Sequence, residues 1–364
     1  MYGNTRDASD VIRRNDYSTR YIGYTVKENN TVNAIVNILG GSAAANEASE
    51  LTYLKIGCTL TSNTVVEQVP SRLPPRVDTF QLFTGLGIVF TPTAYSFDGS
   101  SNLYTFSPLS NTTLPFVITA LATDGSNLYV ASRSNLYTYS SGTPSNLNIT
   151  NLSNINKVTV ASNGFYFLQS GNSQIYFATS NSAATSLAGS TAGFAEGIGS
   201  VAQFNQPRGF TLDPAGQYLY IADTGNSLIR KMSTVAPYTV STLAGNTTFF
   251  YNPLPTDSVG NRDGNGIYGM SLLYNPYDIT VDPEGDFYIA DATNNAIRGL
   301  TPNGTLFTLG GVPGVDPVYD ISPPGFSNAI GSDGRWNEPV AITYFNSALY
   351  ITEPLNNAIR SYTF

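Results

Sequence analysis

Hydrophobic and polar positions alternate in short bursts along most of this chain, and the bursts recur. Phe204-Asn-Gln-Pro-Arg-Gly-Phe-Thr-Leu-Asp213, Leu273-Tyr-Asn-Pro-Tyr-Asp-Ile-Thr-Val-Asp282 and Trp336-Asn-Glu-Pro-Val-Ala-Ile-Thr-Tyr-Phe345 superimpose. Each is followed by a second run: Leu219-Tyr-Ile-Ala-Asp223, Phe287-Tyr-Ile-Ala-Asp291 and Leu349-Tyr-Ile-Thr-Glu353. A third run carries Ile229-Arg230, Ile297-Arg298 and Ile359-Arg360, and Ser241-Thr-Leu-Ala-Gly245 and Phe307-Thr-Leu-Gly-Gly311 supply a short fourth. Runs of this length, rich in β-branched and aromatic residues and divided by Pro/Gly turns, predict strands.

Four short antiparallel strands per unit is the pattern of a β-propeller blade. One such unit cannot bury both faces of its inner strands, so the units must stack on one another and close into a ring. Weaker upstream copies appear at Ser101-Asn-Leu-Tyr-Thr-Phe-Ser107, Ser134-Asn-Leu-Tyr-Thr-Tyr-Ser140 and Ser173-Gln-Ile-Tyr-Phe177. With third-strand anchors at Leu103, Leu136, Ile175, Ile229, Ile297 and Ile359, the pattern predicts an all-β, six-bladed propeller over residues 79–364. The last blade lacks an outer strand. Residues 79–85, Thr-Phe-Gln-Leu-Phe-Thr-Gly, resemble the fourth run at Thr305 and are expected to complete it, which would close an open sheet edge.

Residues 1–78 read differently. They hold 8 Lys/Arg and 8 Asp/Glu, whereas the remainder of the chain carries its whole net charge of −8. Pro70-Ser-Arg-Leu-Pro-Pro75 reads as a stiff connector. Ser9 and Asp10 can cap a helix running toward Glu28, and Val32, Ile35, Val36 and Leu39 at helical spacing before Gly40-Gly41 predict a second. On the first, Tyr17, Tyr21 and Tyr24 would form one aromatic stripe beside Arg13, Arg14 and Arg20. Tyr and Arg are favoured interface anchors, so Arg13, Arg14, Tyr17, Tyr21 and Tyr24 are the candidate partner-binding residues of a helical arm. Packing of that arm on its own ring is the plainer alternative.

Composition narrows the chemistry. Charged residues are 12% of the chain, about half the usual share of roughly 25%. A surface wetted by Asn, Ser and Thr repels neighbours little and favours assembly. Net charge of −8 with no basic cluster argues against nucleic acid. The single cysteine, Cys58, excludes an internal disulfide framework. MYGNTRDASD has no apolar core of a secretory signal, and no apolar run is long enough for a membrane span, so synthesis in the cytoplasm is expected. Histidine is absent, which removes the commonest general base and zinc ligand.

The copies resemble NHL repeats, whose pattern runs through "DG…A.F..P.G…D..G..Y.AD..N..IR" to a closing "TLAG", over residues 185–311 and 329–364. The resemblance implies a six-bladed ring and little about activity, since members include protein- and RNA-binding modules, a zinc-dependent lyase and calcium-dependent lactonase-like relatives. Where members often carry His before the Ile-Arg pair, this chain has Ser227-Leu228, Asn295-Ala296 and Asn357-Ala358, so the histidine zinc ligands of the lyase cannot exist here. Ala8-Ser-Asp-Val-Ile-Arg-Arg-Asn-Asp-Tyr17 resembles an opening seen in structural proteins of large cytoplasmic DNA viruses, which implies a virion or assembly component.

Asp223, Asp291 and Glu353 recur at one blade position. A ring of carboxylates about an ion is the sharper reading; acceptance of hydrogen bonds from the following turn is the plainer and favoured one. Glu353 is long for the same bond. Arg230, Arg298 and Arg360 are expected to pair with those acids or to cover strand edges. Long inserts at 246–271 and 312–335 carry Asp257, Asp263, Asp316, Asp320 and Asp333, but the spacing around Asp263 does not meet an EF-hand loop. Serine or cysteine hydrolysis lacks its imidazole, while two-carboxylate chemistry remains open. Six sequons, at Asn29, Asn111, Asn148, Asn151, Asn246 and Asn303, follow from the Asn/Ser/Thr content. The expectation is a non-enzymatic propeller scaffold without cofactor or metal. It would self-associate or join an assembly, a virion being the setting the viral resemblance implies. A carboxylate-based, calcium-dependent hydrolase or lyase, and a glycan- or peptide-binding module, are the alternatives.

Overall fold

The Pro/Gly turns fold the apolar runs into antiparallel meanders. The computed structural model describes residues 21–28, 31–39, 65–68, 76–80, 87–91, 93–97, 101–106, 109–140, 142–169, 171, 173–247, 260–265, 271–312, 323–329, 331–356 and 358–363. The chain divides into two compact units, residues 1–75 with 363–364, and residues 76–362.

In the first unit, β1 (Tyr21–Glu28), β2 (Thr31–Leu39) and β3 (Val65–Gln68) form one antiparallel sheet in the order β2-β1-β3. The helix expected over 32–39 is therefore a strand, and so is the C-terminal half of the helix expected from Ser9. Thr-Val-Asn-Ala-Ile-Val-Asn-Ile-Leu is dominated by β-branched residues, and a ladder partner at Tyr21–Glu28 outweighs the helical spacing. Tyr21 and Tyr24 lie on β1, so the helical spacing behind the expected stripe does not apply to them. Ser9, Asp10, Arg13, Arg14, Tyr17 and Cys58 lie outside the described residues.

The second unit is a β-propeller. Among its described residues, five blades are each cut from one continuous stretch of chain, where six like units were expected. They are β5 (Gly87–Thr91) to β8 (Leu109–Thr113), β9 (Ala120–Thr123) to β12 (Thr143–Asn146), and β13 (Ile155–Ala161) to β16 (Thr185–Gly189). The fourth runs from β18 (Gly209–Leu212) through β19 (Tyr218–Asp223) and β20 (Leu228–Ser233) to β21 (Thr239–Ala244), with β17 (Gly197–Ile198) outside it. The fifth runs from β23 (Pro276–Val281) through β24 (Phe287–Asp291) and β25 (Ala296–Leu300) to β26 (Thr305–Gly310), with β22 (Gly264–Asn265) outside.

The remaining sheet is composite. β27 (Ala341–Phe345), β28 (Ala348–Glu353) and β29 (Ala358–Thr363) are followed not by a fourth strand of the same stretch but by β4 (Arg76–Phe80). The closing strand therefore begins a few residues before the expected segment at 79–85 and shares only residues 79 and 80 with it, residues 81–85 lying outside the described ones. Inner strands β5, β9, β13, β18, β23 and β27 each touch the next, and β27 touches β5.

Burial explains the circuit. Leu103, Leu136, Ile175, Ile229, Ile297 and Ile359 all lie on third strands and are essentially inaccessible. Between the third and fourth blades, Tyr166, Leu168 and Ile175 pack on Phe204, Phe210, Leu219 and Ile221. Each such side chain contributes about 1.5–3 kcal/mol when fully buried, which no isolated blade could realise. Among the described residues no helix is long and apolar enough to cross a membrane.

Candidate functional site

Antiparallel order puts the loops into each inner strand and the turns between second and third strands on one face of the ring. The three repeated acids sit at the second of these places. Asp223 ends β19 and is fully buried. Its Oδ1 accepts the Asn205 N–H at 2.7 Å, and its Oδ2 accepts Asn226 Nδ2 at 2.8 Å and Arg230 Nη1 at 3.0 Å. Arg230 also donates to the carbonyls of Gln203 (3.1 Å) and Ala195 (2.9 Å).

Asp291 repeats this with the Tyr274 N–H (2.9 Å), Asn294 (2.8 Å) and Arg298 (2.8 Å). Arg298 continues to the Leu272 carbonyl at 3.0 Å and to Asp263 Oδ1 at 2.8 Å. Glu353 accepts from the Asn337 N–H (2.7 Å), Asn356 (3.0 Å) and Arg360 (3.0 Å), its extra methylene being accommodated without losing a partner.

Each acid therefore clamps the loop that enters its own blade. The backbone amide comes from upstream, not from the following turn as the sequence suggested; the following turn supplies Asn226, Asn294 or Asn356. A neutral version stands in the third blade, where Gln169 Oε1 accepts the Ser153 N–H (3.0 Å) and Oγ (2.8 Å). Burial raises all three carboxyls, Asp223 to about 6, against the pull of the facing arginine. Asp263 is occupied too, with Thr308 N–H at 3.1 Å and Thr308 Oγ1 at 2.8 Å in addition to Arg298. Among the described residues no three His, Cys, Asp or Glu side chains gather as a metal site. Asp257, Asp316 and Asp320 lie outside the described residues, and Asp333 is exposed.

A second cluster lies where the inner strands begin. Lys157, Gly209 and Asp278 occupy one register position on the third, fourth and fifth blades, opposite Leu168, Ala222 and Ala290 of the neighbouring strands. Lys157 Nζ reaches both oxygens of Asp278 at 2.7 Å, bridging over the fourth blade. Asp278 Oδ2 also accepts the Ile342 N–H of β27 at 3.3 Å. Gly209 is what lets the bridge pass: a Cβ there would stand 2.3 Å from Asp278 Oδ1 and 2.6 Å from the Tyr277 carbonyl oxygen. Ala120 and Ala341 hold the same register on the second blade and in the composite sheet. Burial pushes the Asp278 carboxyl up while Lys157 opposes it.

One position earlier stand Asn156, Arg208, Tyr277 and Val340. The Arg208 guanidinium lies 4.3 Å above the Tyr277 ring, and Tyr277 Oη donates to Glu338 Oε1 at 3.3 Å. Burial raises the Tyr277 hydroxyl, Arg208 lowers it and Glu338 raises it again. The sequence reading passed over Lys157, Arg208, Tyr277 and Asp278. The signal for Arg208, Tyr277 and Asp278 was that the two residues after each repeated proline, Arg-Gly, Tyr-Asp and Val-Ala, vary where their surroundings do not; Lys157, in a copy without that proline, had none.

No protein-family model matches the chain. Protein SUPPRESSOR OF QUENCHING 1, chloroplastic, of Arabidopsis thaliana is 29% identical over 160 residues, 43% of this chain, which spans 14% of that protein's length. An auxiliary nutrient binding protein from Bacteroides ovatus superimposes with TM-score 0.61 at 16% identity, covering 96% of this chain and 92% of its own. A structural genomics protein of unknown function from Bacteroides thetaiotaomicron does so with TM-score 0.62 at 18% identity, covering 83% and 78%. These likenesses carry the propeller fold. None of these three is a viral protein, and the virion role finds no support in them.

Proposed function

We propose that the chain is a non-enzymatic interaction propeller of NHL type, in which the composite sheet serves as the sixth blade. One observation carries this reading: the repeated carboxylates are engaged internally. Asp223, Asp291 and Glu353 each hold a buried arginine, and Asp278 holds Lys157. A carboxylate so engaged is a poor ligand for calcium and a poor nucleophile. What the ring presents instead is a rigid face of loops, the usual place for recognition on such scaffolds. The nutrient-binding description of one structural neighbour fits a binding role. Arg13, Arg14, Tyr17, Tyr21 and Tyr24 remain candidates for a further contact through the N-terminal segment.

The test pairs peptide and glycan arrays probed with the full chain against turnover of a panel of lactones and esters with and without calcium. Array binding without turnover is expected. A second reading, acid–base catalysis by Asp278, is favoured by its burial at the ring mouth and its raised carboxyl. Turnover abolished by Asp278→Asn in a protein that still folds would replace the binding reading with that one.

A further inference from the structure

From the loop geometry we infer that the mouth of the ring is a docking site for an acidic, extended peptide segment of a partner protein. This deepens the binding reading above and rests on it. Two unpaired basic residues, Arg133 and Arg208, stand round the mouth on the second and fourth blades, with Lys157, already paired to Asp278, between them on the third. Arg133 lies in the turn between β10 (Leu128–Ala131) and β11 (Leu136–Ser140), and its carbonyl accepts the Ile155 N–H at 3.0 Å, which seats it beside the start of β13.

Arg133 and Arg208 differ from the three clamp arginines. Arg230, Arg298 and Arg360 are buried and ion-paired, whereas Arg133 and Arg208 are exposed and have no ion pair or side-chain hydrogen bond among the described residues. Arg208 is moreover held over the Tyr277 ring, its guanidinium carbon 4.3 Å from the ring centroid. A guanidinium held on an aromatic ring has less conformational freedom to lose when its N–H groups meet a carboxylate in a two-point contact. Lys157, one-quarter exposed, marks the floor between them.

Between Arg133 and Arg208 stands Asn156, bulged out of the ladder as Tyr277 is in the fifth blade. Its Oδ1 is buried and has no hydrogen-bond partner among the described residues. That oxygen is closed off from an incoming ligand, so it is the spacing of the arginines that sets the occupant: Arg133 and Arg208 stand on blades two apart, a spread that suits an extended segment carrying more than one carboxylate rather than a single small anion. The opposite face suits such a partner poorly, since its first-to-second-strand turns carry Asp124, Asp213, Asp282, Glu284 and Asp286.

The test is a hexapeptide array graded in Asp/Glu content, with capped termini, probed with the full-length protein and followed by fluorescence polarisation on the best peptide. Binding should rise with acidic content and weaken with salt. Arg208→Gln should weaken it about tenfold, the scale of one charged two-point contact. Arg133→Gln should weaken it to a similar degree, and Lys231→Gln, which removes a charge from β20 near the other face, should leave it unchanged. Thermal melts of each variant establish that it folds. A blank array, or binding indifferent to acidic content or to Arg208→Gln, would overturn the inference. Tight binding of neutral or basic peptides would do so while leaving the general binding reading intact, whereas catalytic turnover would remove both.

Discussion

Replacing Arg298 by methionine removes one arm of the fifth-blade clamp and leaves the rest in place. Arg298 is inaccessible and makes three hydrogen bonds of 2.8–3.0 Å, to Asp291, Asp263 and the Leu272 carbonyl. Asp263 is 30% exposed and can rehydrate, but Asp291 is wholly buried and retains only the Tyr274 N–H and Asn294. Breaking a buried pair from one side costs about 3–5 kcal/mol. With an m-value of about 3 kcal/mol/M, that is a fall of roughly 1 to 1.7 M in the urea midpoint. Trp336, the chain's one tryptophan, supplies the signal. It is 1% exposed and packs so closely on the fifth blade that a Cβ at Gly310 would lie 2.6 Å from its Nε1. Arg133→Met, at an exposed site, should move the midpoint little, within about 0.5 kcal/mol. A shift in Arg298→Met no larger than in Arg133→Met would refute the idea that the clamps stabilise the ring.

The other predictions bear on the closure and on the mouth. Gly209→Ala should lower stability by about 1–3 kcal/mol, measured by urea unfolding, because the new methyl meets Asp278 and the Tyr277 backbone. Deleting residues 1–70 should leave the melting temperature of the ring unchanged, whereas deleting residues 1–80 removes β4, bares the edge of β29 and should lower it and promote association in light scattering. At Asp124, burial alone would raise the carboxyl. Hydrogen bonds from Asn127, the Ser126 N–H and Tyr129 overcome it and hold the group down at about 2. The folded value lies below the unfolded one, so this stabilisation is present above about pH 4 and is lost as pH falls toward 2. Asp124→Asn should therefore flatten the acid limb of a pH–stability curve, by less than about 1 kcal/mol at so exposed a turn.

Much of the ring was legible because a blade is a local object. Asp223, Asn226 and Arg230 stand at separations of 3 and 7 residues, and the same separations recur in the fifth blade and the composite sheet. Strand periodicity and turn residues announce such a unit wherever it occurs. The N-terminal segment was read as helical from the spacing of Val32, Ile35, Val36 and Leu39, whereas the β-branched content of the same stretch favours a strand once a ladder partner is present.

By itself, the sequence determined the blade, its buried anchors and its acid–arginine pairs, since all of these are set by neighbours within one meander. Tertiary structure alone decided the mouth. Lys157 and Asp278 are 121 residues apart and carry no shared motif. They meet because ring closure brings the same register position of separate blades around one axis, and because Gly209 between them has no side chain to stand in the way.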